Sequence, residues 1–350
     1  VAVSLAASFG STGIGLAGAG AEATNVILTN TSAYLKDTSA TSETIVEVAA
    51  KNTGTITATV AAVAAAAGFG STGVGGAIGA GVARNFIGFD DNGSTVNDSG
   101  KILAYIDDSS VDAKGALSLV ATSTQTITAG VGAGSAAIAG GSNGVAGAGS
   151  GVLTENKIGT KVKAYVDGDG ATGIGASSVT LSATDTSTIT AEAGAAALAI
   201  SVAGTGALSL SIGAAIARNT IDNSIEAYIV NANMGVTATN GDVSISAVES
   251  ATVDANSVAA TVSVAAGALV GISLSGAGAE STNVIENSVL AHVTSSNIKT
   301  TGIDEDLIDK DLIVAASNTS DISALVGGVA AAGGGGLGGA AGAMGVALSR

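Results

Sequence analysis

A chain of 350 residues with no Cys, Pro or Trp, 52 Gly, 47% hydrophobic but only 2% aromatic residues cannot carry disulfides, thiol chemistry or thiolate metal sites. It also lacks the large rings that usually fill a wide globular interior, so any core must be thin and built from Ala, Val, Ile and Leu. The net charge of −16 repels nucleic acid, whose phosphates need clustered Lys and Arg, and turns attention to divalent cations instead.

In chain order, the start at Val1-Ala2-Val3-Ser4 has neither a Met nor a basic leader. The first marker follows at Thr24-Asn25-Val26-Ile27. It returns at Arg84-Asn85-Phe86-Ile87, Glu155-Asn156-Lys157-Ile158, Arg218-Asn219-Thr220-Ile221 and Thr282-Asn283-Val284-Ile285, the Asn residues being 60, 71, 63 and 64 positions apart. A second marker trails each of these: Ala33-Tyr34, Ala104-Tyr105, Ala164-Tyr165, Ala227-Tyr228 and Ala291-His292. All four Tyr and the single His occupy this one place, which chance does not arrange. A third marker is Thr55-Ile56-Thr57, Thr126-Ile127-Thr128 and Thr188-Ile189-Thr190, weakening to Thr252-Val253-Asp254 and Asp321-Ile322-Ser323. The last residues, Val346 to Arg350, fall inside a repeat, so the sequence reads as a window on a longer array of repeats of about 64 residues.

Within each repeat the Asn motif opens an alternating, moderately charged part, such as Gly241-Asp242-Val243-Ser244-Ile245-Ser246-Ala247. Period two with β-branched residues predicts strand. An uncharged part rich in Ala, Gly, Ser and Thr closes the repeat over 52–83, 115–154, 193–217, 255–279 and 322–349. These stretches are long enough to attract a membrane reading. Leu and Phe are scarce in them, no Trp exists, the Tyr lie away from their ends, and strand alternation persists in Ala199-Ile200-Ser201-Val202-Ala203; no membrane span is expected.

The expected fold is therefore all-β: a parallel β-helix (β-solenoid) running through 1–350 as one continuous unit, with repeats opening near 25, 85, 156, 219 and 283. At roughly 20 residues per coil each repeat divides into about three coils, giving about 16 to 18 coils and a length on the order of 80 Å at the usual strand spacing. Gly and Asn supply corners with positive φ, as at Asn92-Gly93 and Asn240-Gly241. The Asn and Tyr/His markers are expected to align along the stack.

The Asn-x-Ile openings, the Ala-Tyr-Ile/Val units at Tyr105, Tyr165 and Tyr228, and the phrase Ser178-Val179-Thr180-Leu181-Ser182-Ala183 carry a resemblance that covers the whole window. The chain resembles the giant Ala/Gly/Thr-rich repeat proteins of bacterial surfaces, which are similar to filamentous-haemagglutinin-type adhesins. The resemblance implies a parallel β-helix, export, and a part in adhesion, aggregation or matrix formation. The Gly-Gly-x-Gly-x-Asp calcium repeats of another exported class are absent, so calcium-driven folding is not implied.

No enzyme is expected. His292 stands in a Tyr position without the partners a metal or triad would need, and Gly333 to Gly336 lack the Lys-Ser/Thr of a phosphate loop. The acidic turns Asp167-Gly168-Asp169-Gly170 and Asp90-Asp91-Asn92-Gly93 place oxygens at spacings that suit Ca²⁺, and Asp304-Glu305-Asp306 with Asp309 and Asp311 forms a third cluster. The twelve-residue calcium loop is missing from all of them, and a solvated loop that keeps the array soluble is the plainer reading. Asn30, Asn92, Asn97 and Asn318 fit the short glycan-acceptor pattern. The expected role is an extracellular or cell-surface filament or matrix protein that associates with copies of itself, laterally or end to end, and meets cell-surface or matrix polysaccharide. The alternative is the stalk of a large adhesin whose ligand-binding domain lies outside this window. Ice binding would need a Thr row on every coil, and a polysaccharide lyase would need a basic cleft.

Overall fold

Which strand pairs with which is settled by identity between repeats, because in a parallel ladder each residue sits beside its equivalent about 4.8 Å away. The computed structural model describes residues 1–96, 99–301 and 311–350. The described residues form strands, turns and bends with no helix, and every pairing between named strands is parallel.

Three sheets carry the chain. Strands Thr31–Lys36, Lys101–Asp107, Lys161–Asp167, Ser224–Val230 and Ser288–Thr294 form the first, in that order. The short strands Ser39–Ser42, Ser110–Ala113, Ile174–Ala176, Val236–Ala238 and Ile298–Thr300 form the second. A twelve-stranded sheet takes the rest of each repeat, including the 42-residue runs Val46–Ile87 and Leu117–Ile158. Along the chain a repeat visits the first sheet, then the second, then the opening strand of the third. Their inward side chains, among them Ile102, Val111, Leu117, Leu181 and Ile245, meet in one closed apolar core.

Beyond this core the chain runs out and folds back on itself as two limbs. Buried Ala58 and Val60 of the outgoing limb pack with Ala83 of the returning one, and Ala64 and Ala66 pack with Ala77. The reversal falls at Gly70-Ser71 and its equivalents, down to Ala268-Leu269 between Thr252–Gly267 and Val270–Ile285. The limbs approach so closely that a Cβ at Gly75 would lie 2.3 Å from the Ile138 carbonyl oxygen, and one at Gly271 would lie 2.2 Å from that of Gly335. Gly, Ala and Ser fill most of this gap, with Val60, Val131, Val152 and Thr261 among the larger side chains buried in it.

The register corrects the expectation of three coils per repeat. Ala104 pairs with Ala164, Ala183 with Ala247, and Ile200 with both Ile138 and Val264. Every such pair joins equivalent places in successive repeats, and none joins residues some 20 apart. One repeat thus makes one level of the stack: the limbs absorb the residues that three small coils would have used. The five levels of the first sheet span roughly 20–25 Å along the axis, not 80 Å.

One corner is common to all levels. After the first-sheet strand, Asp37, Asp108, Gly168, Asn231 and Ser295 adopt φ of 49°, 42°, 77°, 56° and 50°. This is the left-handed region, where side chains other than Gly cost about 1 kcal/mol. Gly93 also has positive φ, at 73°, whereas neither Asn240 nor Gly241 does. Ser295 is exposed, so Ser295→Gly is expected to stabilise the fold by about 0.5–1 kcal/mol, read as a rise in denaturant midpoint. Gly168→Val should lower it, since its Cβ would meet Asp108 Oδ1 at 2.2 Å.

Candidate functional site

Stacking turns the sequence markers into ladders. Asn25 Nδ2 donates to Asn85 Oδ1, Asn85 to Asn156, Asn156 to Asn219 and Asn219 to Asn283, each at 2.8 Å. The ladder lies on the inner side of the returning limb, and Asn85, Asn156 and Asn219 are buried. Tyr34, Tyr105, Tyr165, Tyr228 and His292 stack on the outer face of the first sheet with ring centroids 4.9–5.0 Å apart. Burial raises the phenols of Tyr105, Tyr165 and Tyr228, that of Tyr228 to about 12, which keeps them protonated. His292 has no hydrogen-bond partner on Nδ1 and sits where the ladder puts a ring.

The acidic turns are dispersed. Asp90 Oδ1 accepts the backbone N–H groups of Asn92 and Ser94, and Asp91 accepts the Asn92 amide. Asp167 accepts the Asn231 amide at 2.7 Å, and Asp169, itself buried, accepts the Gly235 N–H. Asp90 and Asp91 occupy the corner after a returning limb, while Asp167 and Asp169 lie at the far end of the first-sheet strand. These carboxylates hold turns, and among the described residues no group of three or more His, Cys, Asp or Glu is placed to ligate a metal. Asp304, Glu305, Asp306, Asp309 and the glycan-pattern residue Asn97 lie outside the described residues; the Asp311 backbone N–H donates to Asp242 Oδ1 at 3.0 Å.

Two features escaped the sequence reading. The first is a polar waist where each repeat enters and leaves its limbs. Asn52 donates to Thr29 Oγ1 at 2.8 Å. Two repeats on, buried Asp185 accepts from Thr160 Oγ1 (3.2 Å) and Asn223 Nδ2 (2.9 Å), with Ser123 and Ser187 also bonding it. In the next repeat buried Glu249 accepts from Asn287 Nδ2 at 2.8 Å. Burial, then the adjacent negative Asp185, pushes the Glu249 carboxyl up to about 8, while the Asn223 amide opposes the shift. Burial also raises Asp185. A signal existed in the register: Asn52, Ser123, Asp185, Glu249 and Asn318 share one repeat position, always polar.

The second is an inverted limb pattern. In Leu208-Ser209-Leu210-Ser211-Ile212 the Ser are buried and the aliphatic residues exposed. Ser209 and Ser263 bond at 2.7 Å, Ser263 and Ser273 at 2.7 Å through the Ser263 carbonyl, and Thr261 and Ser275 at 2.8 Å. Both outer faces of the limb layer are consequently apolar. The outgoing face shows Val63, Leu198, Val202 and Val262; the returning face shows Leu16, Ile78, Leu210 and Ile212, at 67%, 65%, 42% and 54% exposure. Gly147 and Gly149 leave a trough among the latter. Charges gather at the limb base, where Arg84 pairs with Glu22 at 3.0 Å and approaches Glu155 at 3.8 Å.

Comparison with family models, curated proteins and solved structures finds no match.

Asn156→Ala should cost about 2–5 kcal/mol by chemical denaturation, since it strands the Asn85 donor and the Asn219 acceptor in the interior; Asn25→Ala, at the open end of the ladder, should cost about 1 kcal/mol. A carboxyl raised from an ordinary value near 4.5 to about 8 is protonated in the folded chain and ionised in the unfolded one between those values. The folded state binds the extra proton there, so its stability falls as pH rises from about 4.5 to 8. Glu249→Gln should leave the melting temperature at pH 4.5 nearly unchanged and raise it at pH 8.5, in buffer free of divalent ions.

Proposed function

We propose that the chain is a section of an extracellular β-solenoid that acts as a structural filament or surface matrix, each repeat of about 64 residues forming one level, and that it associates with copies of itself through the two outer faces of the limb layer. The observation that carries this reading is the inverted pattern: large aliphatic side chains point outward on both faces, level after level, while Ser and Ala fill the gap between the limbs. A limb of 16 residues by six levels presents about 1,500 Å² per face at ordinary strand dimensions. That exceeds both the few hundred Å² of continuous apolar surface a soluble monomer usually shows and the roughly 800 Å² per partner of a standard interface.

The chemistry of the limbs supports a partner built like the chain itself. Ridges such as Leu210 and Ile212 and troughs over Gly147 and Gly149 recur at the strand spacing, and a second copy carries the same spacing. No enzymatic role is assigned: Asp90, Asp167 and Asp169 hold turns, Asp185 and Glu249 lie in the waist, and the one His is part of a ring ladder. Likeness to the surface adhesins of bacteria remains part of this reading, resting on the markers. Among the described residues no helix is long and apolar enough to cross a membrane.

The test is charge placed on the faces. Ala65→Lys, Ala136→Lys and Ala196→Lys together on the outgoing face, or Ala214→Lys with Ile78→Lys on the returning face, should leave the β circular-dichroism spectrum intact and shift the chain from bundles to single particles in light scattering and electron microscopy. Bundles that persist in both sets would refute face-to-face association; whiskers that never bundle even in the unaltered protein would favour the stalk.

A further inference from the structure

The narrow gap between the limbs explains only some of the glycines. At Gly75 and Gly271 an added Cβ would strike a carbonyl oxygen of the facing limb. At Gly18, Gly20, Gly147, Gly151, Gly276 and Gly278 it would meet nothing within 4 Å. These occupy outward places on the returning limb. Glycine weakens a strand interior, and there it marks the close approach of another backbone or a ligand. The register shows what these glycines are set against. One outward column holds Ile14, Val74, Val145, Leu208, Ile272 and Ala340. The column six residues further along holds Gly20, Ala80, Gly151, Ala214, Gly278 and Val346. At every level one of the two is Gly or Ala and the other is Val, Leu or Ile. Between these columns, Leu16 with Gly18, Ile78 with Gly76, Leu274 with Gly276 and Met344 with Gly342 repeat the opposition. The remaining levels hold Gly147 with Gly149 as a hollow, and Leu210 with Ile212 as the ridge beside it.

We propose that two copies pair returning face to returning face, about a twofold axis parallel to the stack and centred between the columns of Leu16 and Gly18. The proposal rests on association through the limb faces and adds its symmetry and register. A twofold along the stack keeps the levels and reverses the strands, so each column faces its mirror image across the axis. Ile14 of one copy then sits opposite Gly20 of the other, Val145 opposite Gly151, and Ile272 opposite Gly278. Large groups enter the spaces over small ones, the interdigitation of a steric zipper. The ridge of Leu210 and Ile212 stands about 4.8 Å from the hollow at the next level, and its side chains tilt into it. The axis also falls at the middle of the limb. The tip at Gly70-Ser71 of one copy reaches the column of Arg84 and Glu155 in the other, which puts charge at the rim and aliphatic groups at the centre. The area of the face exceeds what a standard interface takes from each partner. The outgoing face lacks this match: the axis that sets Val63 opposite Ala67 also sets Leu198 opposite Leu198.

The test starts from the outgoing-face Lys set, which leaves the returning face free to associate. Sedimentation of that variant should show discrete pairs of chains. Adding Gly278→Ile should weaken the pair about tenfold or more, because the overpacked contact occurs twice across a twofold. The fold has room for the new side chain, and the circular-dichroism spectrum should not change. Adding Ile272→Gly as well should restore the pair, since large and small then trade places across the same contact. A chain that was merely destabilised would be weakened further by the second change. Gly151→Val with Val145→Gly repeats the exchange at another level. Single chains from the Lys set, while the unaltered chain still bundles, would overturn the twofold pairing and leave association through the limb faces standing. Bundles that persist in both Lys sets would remove that broader reading and the pairing with it. A pair that Gly278→Ile does not weaken, or that neither exchange restores, would overturn the register.

Discussion

Parallel stacking in register governs this molecule. Each side chain has its repeat equivalent directly above and below at the strand spacing, so any residue is effectively chosen as a column rather than as a point. A column of Asn forms a continuous amide ladder because the carboxamide both donates and accepts. Aromatic rings in a column are forced face to face at 4.9–5.0 Å, which the His at the fifth level satisfies as well as Tyr does. The absence of Pro follows from the same constraint, since an interior strand must give its N–H to one neighbour at every level.

The second constraint is the narrow gap between the limbs. With backbones close enough that an added Cβ at many glycines would strike a carbonyl, the gap is filled mostly by Gly, Ala and Ser, whose burial yields little per residue compared with Ile or Leu. The closed core, lined by Ile102, Leu117, Leu181 and Ile225, is where large aliphatic groups are buried. In the limbs, those groups are displaced to the outside. The layer that is thinnest inside is therefore the stickiest outside, and the two properties have one cause.

That cause also marks where the sequence was legible. Asn25 and Tyr34 announced their columns because stacking rewards identity, and the spacing of 60 to 71 residues is the spacing of the pairing itself. The subdivision into three coils was not written in the residues; it came from the usual girth of a β-helix, and nothing in an Ala/Gly run marks that the chain folds back at Gly70-Ser71. The alternation Ala199-Ile200-Ser201-Val202-Ala203 correctly predicted a strand, but ordinary amphipathic logic puts Val202 inside and Ser201 outside, and the narrow gap reverses it. The waist was hidden for another reason. Asn52, Ser123, Asp185, Glu249 and Asn318 share polarity but not identity, so the column is visible only once the register is known.

Columns make charge the hardest property to repeat. On the outside of the returning limb the chain answers by alternation: Thr24, Arg84, Glu155, Arg218 and Thr282 occupy successive levels, so each cation meets an anion or a neutral group. Lys163 and Glu226 do the same on the first sheet at 2.9 Å. In the waist there is no such alternation. Asp185 is followed by Glu249, in a place with little water to screen them, where the interaction of like charges is strongest. Neutral Ser123 lies before the pair and Asn318 after it, so the charge is confined to two levels. Like charges also meet in register on the first sheet, Lys101 with Lys161 and Asp107 with Asp167, where water screens them; Asp185 and Glu249 meet buried, at the joint between the closed core and the limbs. Protonation of Glu249 relieves that conflict, so pH bears on how firmly the joint is held.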